Sequence, residues 1–162
     1  MEEKTPLEDA WKYSMRLLAA SSKTRREMNK KLSDKGFAQE VVHATLTKLE
    51  EKGILNDRSY ASNLLNLLST EKPSGKRMIV FEMKRHGIPL AVQEELLAGL
   101  SEDKEHARAH ELARHRWHRY SRMEPIKRRK KVYDFLIRRG FDFQLARDII
   151  EDLSPQGTDD EN

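Results

Sequence analysis

A seven-residue stretch of this chain comes back twice, and that return restricts the possible folds more than any other feature. Lys31-Leu32-Ser33-Asp34-Lys35-Gly36-Phe37 reappears as Glu82-Met83-Lys84-Arg85-His86-Gly87-Ile88 and again as Phe135-Leu136-Ile137-Arg138-Arg139-Gly140-Phe141. Twelve further residues of each copy align without a gap. Leu32, Met83 and Leu136 share a column, as do the three glycines, and as do Phe37, Ile88 and Phe141. The apolar columns continue through Val41, Val92 and Leu145, then Leu46, Leu97 and Ile150, and close at Leu49, Leu100 and Leu153. Four residues upstream, Met28, Ile79 and Val132 align too. Amphipathic helices resemble one another, so the glycine column carries the argument. With 7 Gly in 162 residues, two further matches at a chosen column arise by chance roughly once in five hundred.

Each copy reads as helix, glycine stop, helix. Gly36 takes the left-handed position past a helix end that residues with a Cβ avoid, and Phe37 folds back on the last turn. One such pair cannot bury its own faces, so a third helix or a neighbouring repeat must supply the missing core. The expected fold is all-α, with three tandem three-helix repeats forming an elongated, curved helical-repeat protein. The boundaries read as 1–53, 54–101 and a basic third repeat at 102–153, followed by a disordered acidic tail at 154–162.

In the first helix, Thr5-Pro6 gives a cap and a proline start, and Leu7, Ala10, Trp11, Met15 and Leu18 form the expected buried stripe. Thr24 and Glu27 make a capping box for the second. Asn56 or Asp57 caps a fourth helix carrying Tyr60, Ala61, Leu64, Leu65 and Leu68, and Thr70 to Gly75 reads as a loop. Met78 to Met83 is apolar enough for a strand, but the repeat register makes it helix. A seventh helix over Glu102 to Arg122 turns Ala109, Leu112, Ala113, Trp117 and Tyr120 inward, Pro125 starts the eighth and Asp142 caps the ninth.

Charge is where function enters. The chain nets +4 overall. From Lys104 to Arg139, thirteen basic residues face four acids, so this segment nets +9 and the remainder −5. Any single lysine here is best read as solvated surface, but the cluster points to a polyanion or an acidic protein partner. The candidate binding residues are Lys76, Arg77, Arg119, Arg122, Lys127, Arg128, Arg129, Lys130, Lys131, Arg138 and Arg139. Trp117 and Tyr120 have the chemistry to stack on bases, yet their place on the apolar stripe favours core packing.

Other chemistries find little support. His106, His110, His115 and His118 crowd one helix among cations, with no carboxylate or cysteine at a completing spacing, so no metal site is expected. A glycine-rich phosphate loop, a serine elbow and an HExxH pair are all missing, and Asp57 reads as a helix cap. The chain is not read as an enzyme, and no cofactor is expected. The absence of cysteine suits a reducing cytoplasm, and Met1-Glu2-Glu3-Lys4 does not begin a signal peptide. No run is long enough for a bilayer, so no membrane contact is expected.

Gly53-Ile54-Leu55-Asn56-Asp57-Arg58-Ser59-Tyr60-Ala61 resembles the Leu-x-Asp-x-x-Phe/Tyr-Ala signature of the RecX family of recombination regulators. Leu17-Leu18 with Thr24-x-x-Glu27-Met28-x-x-x-Leu32-x-x-x-Gly36-Phe37 resembles that family's first repeat, and Gly75-x-Arg77-x-Ile79-x-x-x-Met83-x-x-x-Gly87-Ile88 its second. Phe135-Leu136-x-Arg138-Arg139-Gly140-Phe141 completes a likeness spanning about residues 7 to 153. The chain departs from the family at Leu68-Ser69-Thr70-Glu71-Lys72-Pro73-Ser74, where a basic and aromatic run is usual. The resemblance implies a monomer that binds the RecA recombinase filament in its groove. It would limit filament extension, ATP hydrolysis and strand exchange in recombination, DNA repair and the SOS response. The alternative is a protein that holds single- or double-stranded DNA directly through the basic third repeat.

Overall fold

The computed structural model describes residues 5–154. The tail expected to be disordered lies outside them apart from Ser154. Nine α-helices follow one another with no strand among the described residues: α1 (Pro6–Ala20), α2 (Arg25–Asp34), α3 (Gln39–Glu51), α4 (Asp57–Asn66), α5 (Lys76–Arg85), α6 (Leu90–Ala98), α7 (Glu102–Arg119), α8 (Pro125–Arg138) and α9 (Phe143–Leu153). Met78 to Met83 is therefore helix, as the register requires. Gly36, Gly87 and Gly140 follow helix ends with φ of 94°, 73° and 81°. Thr5 and Thr24 each close a capping box, with Glu8 and Glu27. The chain divides into two compact units, one running to Leu64 with Glu82–Leu96 added, the other made of Leu65–Phe81 and the residues from Leu97 on.

In the first unit α1, α2 and α3 close on Ala10, Met28, Leu32, Val42, Leu46, Leu49 and Leu55. In the second α7, α8 and α9 close on Ala109, Ala113, Trp117, Val132, Leu136, Phe141, Ala146, Ile149 and Ile150. Two of the aligned apolar columns are buried in all three copies, while that of Val41, Val92 and Leu145 is only partly buried. Met28, Ile79 and Val132 are fully enclosed, and so are Leu32, Met83 and Leu136. Truncating any of the leucine, isoleucine or methionine side chains among these to alanine would cost about 2–5 kcal/mol.

Two local expectations change. On α1 the buried positions are Ala10 and Ser14, while Leu7 and Met15 lie more than a third exposed. The enclosed positions here are small, and the Ser14 hydroxyl is satisfied by donating to the Ala10 carbonyl at 2.8 Å. Beyond α4 the helical path continues through a π-helical stretch, Leu67–Glu71, so the loop is confined to the residues after Glu71.

The same junction is built once in each unit. In the first, the start of α2 lies on the Gly87 turn: Thr24 Oγ1 donates to the His86 carbonyl at 2.7 Å and Arg26 to that of Lys84. In the second, the start of α5 lies on the Gly140 turn: Gly75 N–H donates to the Arg139 carbonyl at 2.9 Å and Arg77 N–H to that of Gly140 at 3.2 Å. Thr24 aligns with Gly75, and His86 with Arg139. A Cβ on Gly75 would stand 2.3 Å from the Gly140 oxygen, so only glycine permits that approach.

Candidate nucleic-acid and filament interface

Helix electrostatics explain half of the basic segment and leave half unexplained. α7 is capped by Ser101, carries Glu102, Asp103 and Glu105 in its first turn, and has Arg116, His118 and Arg119 in its last. That polarity suits the helix dipole. α8 opposes it. Its first turn holds no acid, and Lys127, Arg128, Arg129, Lys130 and Lys131 occupy its positive end. Only Glu124, the cap, offsets them by accepting from the Ile126 and Lys127 N–H groups at 3.1 Å. The helix dipole gives no reason for cations at this end, so their placement has to be explained by packing or by a partner.

Packing divides this cluster. Arg128 is half-buried, not exposed as expected. Its guanidinium lies 4.1 Å from the Trp117 ring centre, and Nε donates to the Trp117 carbonyl at 2.9 Å. It rivets α8 to the end of α7. Arg119, Arg122, Lys127, Arg129, Lys130, Lys131 and Arg138 are exposed. Lys127, Lys130, Lys131 and Arg138 share one face of α8 and, with Tyr120, Met123 and Asp134, line an open hollow of about 430 Å³. Lys130 there pairs with Asp134 at 3.1 Å.

Trp117 is in the core, and Tyr120 sits at the rim of the hollow. Arg116 Nη1 donates to the Tyr120 hydroxyl at 3.4 Å, and Lys131 stands 5.4 Å from its ring centre. That hydrogen bond, helped by the charges of Arg116, Lys131 and Arg119, lowers the phenol's pKa. The hollow is thus a place of positive potential suited to a phosphate or carboxylate.

Lys76, Arg77 and Arg139 belong elsewhere, at the Gly75–Gly140 junction. Arg139 is half-buried and donates from Nε to the Pro73 carbonyl at 3.0 Å, so it holds the junction together. Lys76 N–H is capped by Glu105 at 2.7 Å. Arg77 is exposed and lies 4.5 Å from the Phe143 ring centre. Among the described residues, no group of three or more metal-ligating side chains converges at the histidines of α7.

The Leu55–Ala61 segment proves to be an anchor. Leu55 and Ala61 are buried. Asn56 caps α4 by accepting from Ser59 N–H at 2.9 Å, while Asp57 accepts from Arg25 N–H at 2.7 Å and so caps α2. Both residues are caps, on different helices. Tyr60 Oη lies 3.0 Å from His86 Nδ1, which is 2.6 Å from a Glu27 carboxylate oxygen. Burial works to raise the Glu27 pKa, but the hydrogen bonds from Thr24 N–H and His86 outweigh it and hold the carboxyl below its ordinary value. Burial raises Tyr60. Reading the sequence alone missed this network, since His86 carries no local signal of pairing with a residue 59 positions away.

Comparison with known proteins fits this architecture. Residues 10–49 match the family description of the first three-helix domain of RecX, and residues 102–150 that of its third. A regulatory protein RecX from Chlorobium limicola is 31% identical over 157 residues, covering 95% of each chain. Another, from a Mycobacterium species (strain JLS), is 31% identical over 147 residues, covering 88% of this chain and 80% of its own. The crystal structure of RecX from Lactobacillus salivarius has the same fold, with a TM-score of 0.78 at 20% identity over 91% of this chain and 96% of that one. With both outer three-helix domains matched and the curated likeness running nearly end to end, this chain belongs to the RecX family of regulatory proteins.

Proposed function

We propose that this chain regulates the RecA recombinase by binding its nucleoprotein filament and restraining extension, ATP hydrolysis and strand exchange. The observation that carries the reading is family membership over nearly the whole chain. The fold is compatible with it. A body of repeats can touch several subunits of a repeating partner, and weak contacts summed along a filament give strong overall binding. On this reading the protein acts as a monomeric regulator and not as an enzyme. The exposed cations of α7 and α8 face filament DNA or an acidic surface of the recombinase.

The hollow on α8 favours a second reading, direct binding to DNA. A binder of that kind neutralises phosphates, and its affinity for naked DNA falls steeply with salt. The two readings separate in one experiment, binding to naked single-stranded DNA beside the same DNA coated with RecA, at near-physiological salt. Preference for the coated DNA supports the regulator. Equal or tighter binding to naked DNA, lost as salt rises, replaces it with the second reading.

A further inference from the structure

Two of the five phenylalanines of this chain are exposed, Phe81 at 59% and Phe143 at 48%. Phe81 stands on α5 opposite the side that buries Ile79 and keeps more than half of its surface exposed. Arg77 lies one turn back on that same outer face of α5. Its guanidinium stands 4.5 Å from the Phe143 ring centre, at the first position of α9. The bond from Arg77 N–H to the Gly140 carbonyl fixes this juxtaposition in the backbone. Acids at the junction are already committed: Glu105 caps α5 and Asp142 caps α9.

We propose that Phe81, Arg77 and Phe143 form a stacking platform for the unpaired bases of single-stranded nucleic acid. An occupant must offer flat apolar faces and carry negative charge, because the surface is aromatic and its charged members, Arg77 and Lys76, are cationic. A nucleobase on a phosphate backbone has both properties. Aromatic rings and guanidinium planes stack on any base regardless of sequence. A duplex hides its base faces, so the platform selects single strands. The inference rests on the second reading above, contact with nucleic acid, and does not involve RecA.

The test uses the whole chain without RecA, and fluorescence anisotropy with two labelled oligonucleotides. One is oligo-dT of about 15 nucleotides, within the span such sites cover. The other is an abasic oligomer of the same length, with the same phosphates and no bases. The wild-type protein prefers oligo-dT by about tenfold or more, the effect of one well-stacked base. Replacing Phe81→Ala with Phe143→Ala abolishes that preference and leaves binding to the abasic oligomer unchanged, and Phe→Trp at both positions retains it. Equal wild-type binding to both oligomers overturns the proposal. So does a preference that survives in the double alanine variant, or one that leucine at both positions supports as well as phenylalanine. Because RecA is absent, these outcomes leave the filament reading to its own experiments.

Discussion

Gly36→Ala and Gly140→Ala look alike in the alignment, and the structure says they differ. Both glycines have positive φ, so alanine is strained at either by about 1 kcal/mol. At Gly36 that is the whole cost, since a Cβ there would meet nothing within 4 Å. At Gly140 the new Cβ would stand 2.4 Å from the backbone nitrogen of Met78. Backbone cannot swing aside as a side-chain end can, so overpacking adds about 1–3 kcal/mol. Relief by separation would strain the two junction bonds, Gly75 N–H to Arg139 and Arg77 N–H to Gly140, each worth about 1 kcal/mol. Gly140→Ala is therefore expected to cost about 2–4 kcal/mol against about 1 for Gly36→Ala. Gly87→Ala falls between them, because its Cβ meets the flexible Arg26 side chain. Urea unfolding followed by far-ultraviolet circular dichroism measures all three. Equal losses at positions 36 and 140 would refute the claim that the Gly140 turn is a docking surface for α5.

Three other perturbations follow from the same contacts. Replacing Arg129, Lys130 and Lys131 with glutamine should leave thermal unfolding nearly unchanged and weaken binding to DNA or to the filament; unimpaired binding would return them to ordinary solvated surface. Arg128→Gln, by contrast, should lower stability by about 1–2 kcal/mol through loss of the Trp117 carbonyl and ring contacts, and an unchanged melting temperature would contradict that rivet. Glu27 has a lowered pKa, so its contribution is present above its unfolded value of 4.5 and is lost as pH falls through the still lower folded value. Glu27→Gln should accordingly destabilise the protein at pH 7 and much less near pH 3, and a pH-independent loss would contradict the network.

How far these features could be read from sequence depends on whether the responsible side chain matched its surroundings. The columns of Met28, Leu32 and their counterparts were visible because every member is apolar and every member is buried. Two further columns, buried in at least two copies, were hidden by polar members. Val42 and Ala146 align with Gln93, which is buried while its amide donates to the Ile88 carbonyl at 2.8 Å. Ile149 aligns with Thr45, buried with its hydroxyl on the Val41 carbonyl. Local hydrogen bonds let these polar groups lie in a core, which breaks the apolar pattern. On α1 the error ran the other way at Leu7 and Met15, whose bulk suggests burial, while the small Ser14 holds the contact beside the expected Ala10.

The candidate site divides along similar lines. Charge counting located the α8 cations, and their exposure follows from their place on the helix. It could not separate Arg128 and Arg139 from their neighbours, since both act on backbone carbonyls that sequence does not position. Nor could it bring Arg77 to Phe143, which lie 66 residues apart and meet only through the Gly75–Gly140 approach.

The central claim is that this chain restrains a RecA filament, and one titration tests it most directly. RecA-dependent ATP hydrolysis on single-stranded DNA is followed while the protein is added to growing and to preassembled filaments, with and without excess DNA. A filament has few ends and many subunits, so a protein acting at ends or bridging several subunits needs little mass. The account predicts inhibition at amounts well below one protein per RecA subunit, undiminished by added DNA. Inhibition that appears only near saturation and vanishes with extra DNA would contradict it and leave a competitor for the DNA lattice.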